Sequence, residues 1–295
     1  MQLFVNDLTV MDFSYLCPER GMVGESWIVD VILDGELNEE SMVLDFSKVK
    51  KRLKALIDEY VDHKLLIPAD NSATRIQRDA NQDKVQVDFL RDNQRSIHLN
   101  CPAEAYAFVY AETVTMDSVS QYLKEIIATH LPENVGGMTL NLRSEVIHSP
   151  YYHYTHGLKK HDGNCQRIAH GHRSRVDVFV DGEASEHWQQ YWAERWQDIY
   201  IGTKEDLVNL SDLKLSMPMV DIAVMDSSHY CFTYESSQGE FELVIPKVEC
   251  DLVETDSTVE CLAQFMADEQ RRLAPEHEYR VMAYEGVGKG AIAHA

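Results

Sequence analysis

A chain of 295 residues is about two domains long, and 44% hydrophobic residues with 9% aromatics supply material for real cores. This excludes disorder as the main state. Lys and Arg total 27 against 49 Asp and Glu, a formal charge of -22, so the field of the molecule repels phosphate backbones and anionic membranes. Nucleic acid and membrane surfaces are thereby excluded as expected partners, and an anionic substrate requires a local basic cluster. No apolar run reaches the roughly 20 residues of a membrane span.

Along the chain, Asp7 and Asp12 precede the first basic residue, Arg20, which is not the layout of a secretory signal. The six cysteines are scattered without a C-x-x-C pair, as expected of reduced thiols in a cytoplasmic protein. Near-alternation over Leu8 to Tyr15 and Trp27 to Leu33 predicts a hairpin. Val49, Leu53, Leu56, Ile57, Tyr60 and Val61 recur at helical spacing between Phe46 and Leu66. Residues 68–100 are polar and charge-rich and read as a loop or exposed hairpin. A second helix is predicted over Ser118 to His130, then a strand over Met138 to Leu142. Arg175 to Val180 predicts another strand, Thr258 to Leu273 a helix and Tyr279 to Tyr284 a strand.

The order of these elements repeats. Residues 29–36, VDVILDGE, match residues 176–183, VDVFVDGE, at six of eight positions with an offset of 147. Gly24 aligns with Gly171 and Leu16 with Leu158. The expected organisation is two tandem α+β units, 1–147 and 148–295, each an antiparallel four-stranded sheet with two helices on one face. Residues 184–199 break the match. They place Trp188, Trp192 and Trp196 on one helical face and read as a packing stripe or subunit contact inserted into the second unit.

Chemistry concentrates in residues 152–175. His170 and His172 flank Gly171, so a strand puts both imidazoles on one face, and His156 ends the preceding strand of the same hairpin. Three imidazoles without an obvious fourth protein ligand suit a zinc ion with an open position; a His-rich polar loop is the competing reading. Cys165 lies among Lys159, Lys160 and Arg167, neighbours that favour a thiolate. In the first unit, Asp62 beside His63 can orient an imidazole for proton transfer, or simply cap a helix. The expected counterparts of His156, His170 and His172 in the first unit are Ser14, Val23 and Glu25, so a metal triad is expected in the second unit alone.

THGL followed by C-x4-HGH resembles the metal and cysteine motif of the 6-pyruvoyltetrahydropterin synthase and 6-carboxytetrahydropterin synthase family. MVLDFSKVKKRLK with DHKLL is similar to its helix and Asp-His motif, and STVE and AYEG to the ends of its unit. The resemblance implies a tunnelling fold whose sheets close into a barrel in a homo-oligomer, with active sites shared between units. It implies Zn2+ on His156, His170 and His172, and catalysis by Cys165 with Asp62 and His63. A pterin triphosphate would be bound by Glu285, with Glu145, Thr258, Glu260, Lys159 and Arg167 contributing. The implied reaction converts 7,8-dihydroneopterin triphosphate to 6-carboxytetrahydropterin, in 7-deazaguanine (queuosine) biosynthesis, or to 6-pyruvoyltetrahydropterin. A zinc hydrolase of a pterin- or purine-like substrate and a non-catalytic pterin-binding relative are the alternatives.

Overall fold

The computed structural model describes all residues except 80–82, 93 and 217–221. The N-terminal half runs β1 (Gln2–Cys17), β2 (Gly21–Gly35), α1 (Phe46–Tyr60), β3 (Leu65–Pro68), β4 (Thr74–Arg78), β5 (Lys84–Phe89), β6 (Ile97–Pro102), β7 (Tyr106–Val109), α2 (Met116–Ala128) and β8 (Val135–Ser144). Its first sheet has the order β7-β3-β1-β2-β8. Asp45 caps α1 by accepting from the amides of Ser47 and Lys48, and Val49, Leu53, Leu56 and Ile57 form the buried stripe. Thr115 caps α2 in a capping box with Ser118. Both helices cover one sheet face, where Phe13, Val29, Leu53, Ile57, Leu123 and Ile127 form a continuous core.

The C-terminal half runs β9 (Tyr151–His156), β10 (His170–Val180), β11 (Glu183–Ala184), α3 (Glu186–Arg195), β12 (Ile199–Thr203), β13 (Leu207–Val208), α4 (Ile222–Ser228), β14 (His229–Ser236), β15 (Gly239–Pro246), β16 (Cys250–Val253), α5 (Val259–Leu273), β17 (Tyr279–Tyr284) and β18 (Gly290–His294). Its sheet, β16-β12-β9-β10-β17-β18, has the first sheet's connectivity plus β18 and the short β11. The Trp-rich segment is therefore no insertion in topology. Helix α3 follows β10 as α1 follows β2, and β12 then pairs parallel to β9 as β3 pairs parallel to β1. Trp192 and Trp196 are fully buried against Phe265 of α5, and their bulk disguises the ordinary amphipathic pattern.

The four-stranded expectation needs correction. The antiparallel strands number three in the first sheet (β1, β2, β8) and five in the second (β9, β10, β17, β18 and the short β11), and two parallel strands extend each sheet. The chain leaving each hairpin's helix returns along the free edge of β1 or β9 and so widens the sheet. Among the described residues both sheets keep two free edges, and no barrel closes within one chain.

Residues 68–100 also depart from the exposed-loop expectation. They supply β4, β5 and much of β6 to a third sheet, β13-β14-β15-β6-β5-β4, drawn from both halves. Val85, Val87, Phe89, Ile97 and Leu99 are buried there with Phe232, Phe241, Leu243 and Ile245. Part of that core comes from strands more than a hundred residues away, beyond any local pattern.

A pseudo-twofold axis relates the halves. Leu99 pairs with Leu243 where β6 meets β15, and Gly24 meets Gly171 where β2 crosses β10. A Cβ on Gly24 would lie 1.9 Å from the Tyr154 carbonyl oxygen, so this crossing requires glycine. Beside it Ser14 hydrogen-bonds Thr155 at 2.7 Å. Ser14 faces Gly24 across its hairpin as Thr155 faces Gly171. The counterpart of His156 is thus Tyr15 rather than Ser14, one residue from the sequence expectation.

Candidate active site

The hairpin β9–β10 pairs His170 directly with His156, two residues from His172. All three rings are at most 1% exposed, and one ring nitrogen from each lies within 4.8 Å of the other two. Burial drives His156 and His170 well below the usual histidine range, which leaves them neutral, the form that binds metal. Their outer nitrogens have acceptors. His156 Nδ1 is 2.9 Å from the Ser257 carbonyl oxygen, and His170 Nδ1 is 3.3 Å from that of Arg167. Donation there leaves Nε2 with its lone pair. His156 Nε2 and His172 Nε2 are buried without a hydrogen bond, an arrangement costly for a protein unless an ion completes it. The donor set suits zinc.

Asp62 and His63 reach the same place from the other half of the same chain. His63 lies in the left-handed region (φ 55°) in the turn between α1 and β3. Its Nδ1 is 2.8 Å from Asp62 Oδ2, and its ring centroid is 5.2 Å from that of His170. His63, Cys165 and His170 form a second group with one candidate ligand atom each within 4.8 Å of the others. Burial opposes the charge on His63, but Asp62 and Cys165 overcome it and push the imidazole up to about 10.

The proposed substrate residues scatter more widely. Glu285, at the end of β17, has Oε1 3.8 Å from His172 Nε2 and joins the cluster. Arg167 is buried beside His63, donating to its carbonyl oxygen at 3.4 Å. Lys159 is instead tied to Asp206 and Glu205. The Thr258 hydroxyl caps α5 by accepting from the Cys261 amide, and Glu260 is exposed in the first turn. Glu145 gives its carbonyl oxygen to Arg173, and no hydrogen bond or ion pair links its side chain to the histidines.

Sequence reasoning missed Asp12, Ser257 and Lys64. Lys64, beside the Asp-His pair, is pulled down to about 8 by burial and by Arg167. Together with Arg167 and Asn164, which neighbours Cys165, it lines a groove of about 880 Å3 walled by Tyr60, Tyr106, Phe108 and Tyr110. Asp12 carries no motif, and Ser257 opens STVE without being singled out by it. Ser257 directly precedes the Thr258 cap, a position from which its carbonyl oxygen is free for His156.

The related cleft across the pseudo-axis holds no such set. Tyr15, Val23 and Glu25 stand where His156, His170 and His172 stand, and Asp198 (φ 58°) takes the left-handed place of His63. Arg20 occupies this cleft, with Nε 2.8 Å from Asp198 Oδ2 and Nη1 3.3 Å from the Tyr15 hydroxyl.

Residues 17–143 match the family model described as 6-pyruvoyl tetrahydropterin synthase. That stretch of the N-terminal half is similar to the family. Three solved structures resemble about half of it: 6-pyruvoyl tetrahydropterin synthase from Plasmodium vivax (15% identity, 48% of this chain and 97% of that one, TM-score 0.37), a catalytic-residue mutant of the P. vivax protein (17%, 48% and 90%, 0.37), and the P. falciparum synthase (12%, 48% and 97%, 0.34). No curated protein matches. No helix among the described residues is long and apolar enough to cross a membrane.

Proposed function

We propose that this chain is a zinc-dependent synthase acting on 7,8-dihydroneopterin triphosphate, with 6-carboxytetrahydropterin as product ahead of 6-pyruvoyltetrahydropterin. Its site is assembled from the two halves of one chain, and it works as a cytoplasmic homo-oligomer. The observation that carries the reading is the convergence of three buried imidazoles from the C-terminal half with Cys165 and the Asp62–His63 pair of the N-terminal half. His156, His170 and His172 would hold the ion. When bound, it supplies Lewis acidity that makes C–H bonds beside the substrate's side-chain oxygens easier to deprotonate.

Cys165 moves a proton at its sulfur, with His63 as its partner and Asp62 fixing the His63 ring. Glu285 accepts hydrogen bonds from the pterin's ring N–H and amino groups. Arg167 and Lys64, at the floor of the neighbouring groove, face the anionic tail. Lys159 is already neutralised by its acidic partners, so it has a weaker claim to that role.

The test is metal analysis of the purified chain with product identification from dihydroneopterin triphosphate, for the native protein and Cys165→Ala. The proposal expects one zinc per chain, a reduced pterin product, and loss of turnover in the variant. Undiminished turnover by Cys165→Ala would indicate hydrolysis by metal-bound water instead. Tight pterin binding without product would indicate a non-catalytic relative.

A further inference from the structure

Asp12 touches both parts of the site, the Asp62–His63 turn and the histidine triad. It lies on β1, in the half that lacks the histidine triad, and is 4% exposed. Its backbone grips the Asp-His turn from both sides: the Asp12 amide donates to Asp62 Oδ1 at 2.7 Å, and its carbonyl oxygen accepts from the His63 amide at 2.7 Å. These two bonds fix a non-glycine residue in the left-handed conformation that aims His63 at the cluster.

The side chain turns the other way, toward the triad. Asp12 Oδ1 accepts from the Ser26 hydroxyl at 2.5 Å and stands 3.3 Å from His172 Nδ1, while Oδ2 lies 3.3 Å from Lys289 Nζ. The carboxylate occupies the hollow left by Gly286, where a Cβ would come within 2.4 Å of Oδ1. His156 and His170 each have a carbonyl acceptor for Nδ1, whereas the nearest acceptor to His172 Nδ1 is this carboxylate. Across the pseudo-axis the arrangement recurs with acid and imidazole exchanged: His153, the counterpart of Asp12, has Nδ1 3.7 Å from Oε2 of Glu25, the counterpart of His172. There the hydrogen bond of His153 Nδ1 goes to the Gly24 carbonyl oxygen at 2.8 Å, so the acid–imidazole contact is the looser of the two.

We propose that Asp12 is the positioning residue of the site, holding His172 with Nε2 directed at the metal position while its backbone sets the Asp62–His63 pair at the same distance. This rests on the zinc reading above. A carboxylate behind a ligating imidazole fixes its tautomer and raises its basicity, and loss of such a partner typically weakens metal binding by about 10–100-fold.

The experiment measures zinc affinity of the full chain by competition with a chromophoric chelator, and the visible spectrum of the Co2+ form, for the native protein, Asp12→Asn and Asp12→Ala. Asn keeps the size of the side chain and the backbone bonds, so it remains informative if Ala fails to fold. Ser26→Ala is the control, removing a partner of Asp12 that does not face the ion. The expected result is an affinity loss on the order of 10-fold in Asp12→Asn with a shifted Co2+ spectrum, a larger loss in Asp12→Ala, and little change in Ser26→Ala. Native zinc affinity and an unshifted Co2+ spectrum in Asp12→Asn would overturn the assignment of Asp12 while leaving the metal centre standing. A native chain that binds neither zinc nor Co2+ would overturn both.

Discussion

Glu25→Gln isolates the cost of a buried acid. Glu25 sits in the metal-free cleft, 7% exposed, with the Ser26 amide donating to Oε1 at 3.1 Å. Burial raises its carboxyl from 4.5 to about 7, and the Ser26 amide, Arg173 and Arg20 compensate only in part. The folded state therefore holds this proton more tightly than the unfolded chain. The stability it contributes is fully present below pH 4.5 and is lost as pH rises through 7. At about 1.4 kcal/mol per unit, the loss between pH 5 and pH 8 is roughly 2–3 kcal/mol. Gln keeps the shape and the acceptor but cannot ionise. Urea unfolding of both proteins at pH 5, 6.5 and 8 should show Glu25→Gln gaining on the native chain by about that amount from the lowest pH to the highest. A stability difference that stays constant or shrinks as pH rises would refute the argument that burial dominates at this position.

Further outcomes follow from the same geometry. His170→Ala should abolish zinc binding, whereas His63→Ala should retain zinc and lower turnover by about 100-fold or more, checked by metal analysis and steady-state rates. Gly24→Ala should destabilise the chain by about 3 kcal/mol or more, because its Cβ meets the Tyr154 backbone at 1.9 Å and neither strand can move away; denaturant titration measures this. Trp192→Ala, at a fully buried position, should cost about 3–5 kcal/mol in the same assay without changing zinc content. Residues 1–147 expressed alone should fail to fold cooperatively, since the β6 edge and the apolar face of Val85, Val87 and Leu99 lose β15 and its neighbours; a sharp urea transition would refute this.

Local patterns carried much of the fold. The stripe of α1, the apolar spacing of α2 and the VDV-x-x-DGE repeat each express a period that survives in isolation, and the corresponding elements stand within a few residues of where the sequence put them. The third sheet was not legible for the opposite reason. KVQVDF alternates as a strand should, but its polar residues are buried as well, Gln86 against Ser216 from the other half of the chain and Asp88 against His98. Helix α3 was misplaced because tryptophans mark a core as readily as an added surface. At the site, residues with diagnostic spacing (His170-Gly-His172, Asp62-His63) could be singled out, while Asp12 and Ser257 act through a carboxylate or a carbonyl oxygen supplied from a distant strand or helix start.

Arg20 in the quiet cleft has a wider consequence. When identical subunits assemble, every substitution is written twice, so a change that plugs one cavity plugs its twin. Covalent linkage of two copies lifts that constraint. Here a guanidinium bound to Asp198 fills one cavity with an internal cation, while the opposite cavity keeps its imidazoles. Each side can then drift under its own selection.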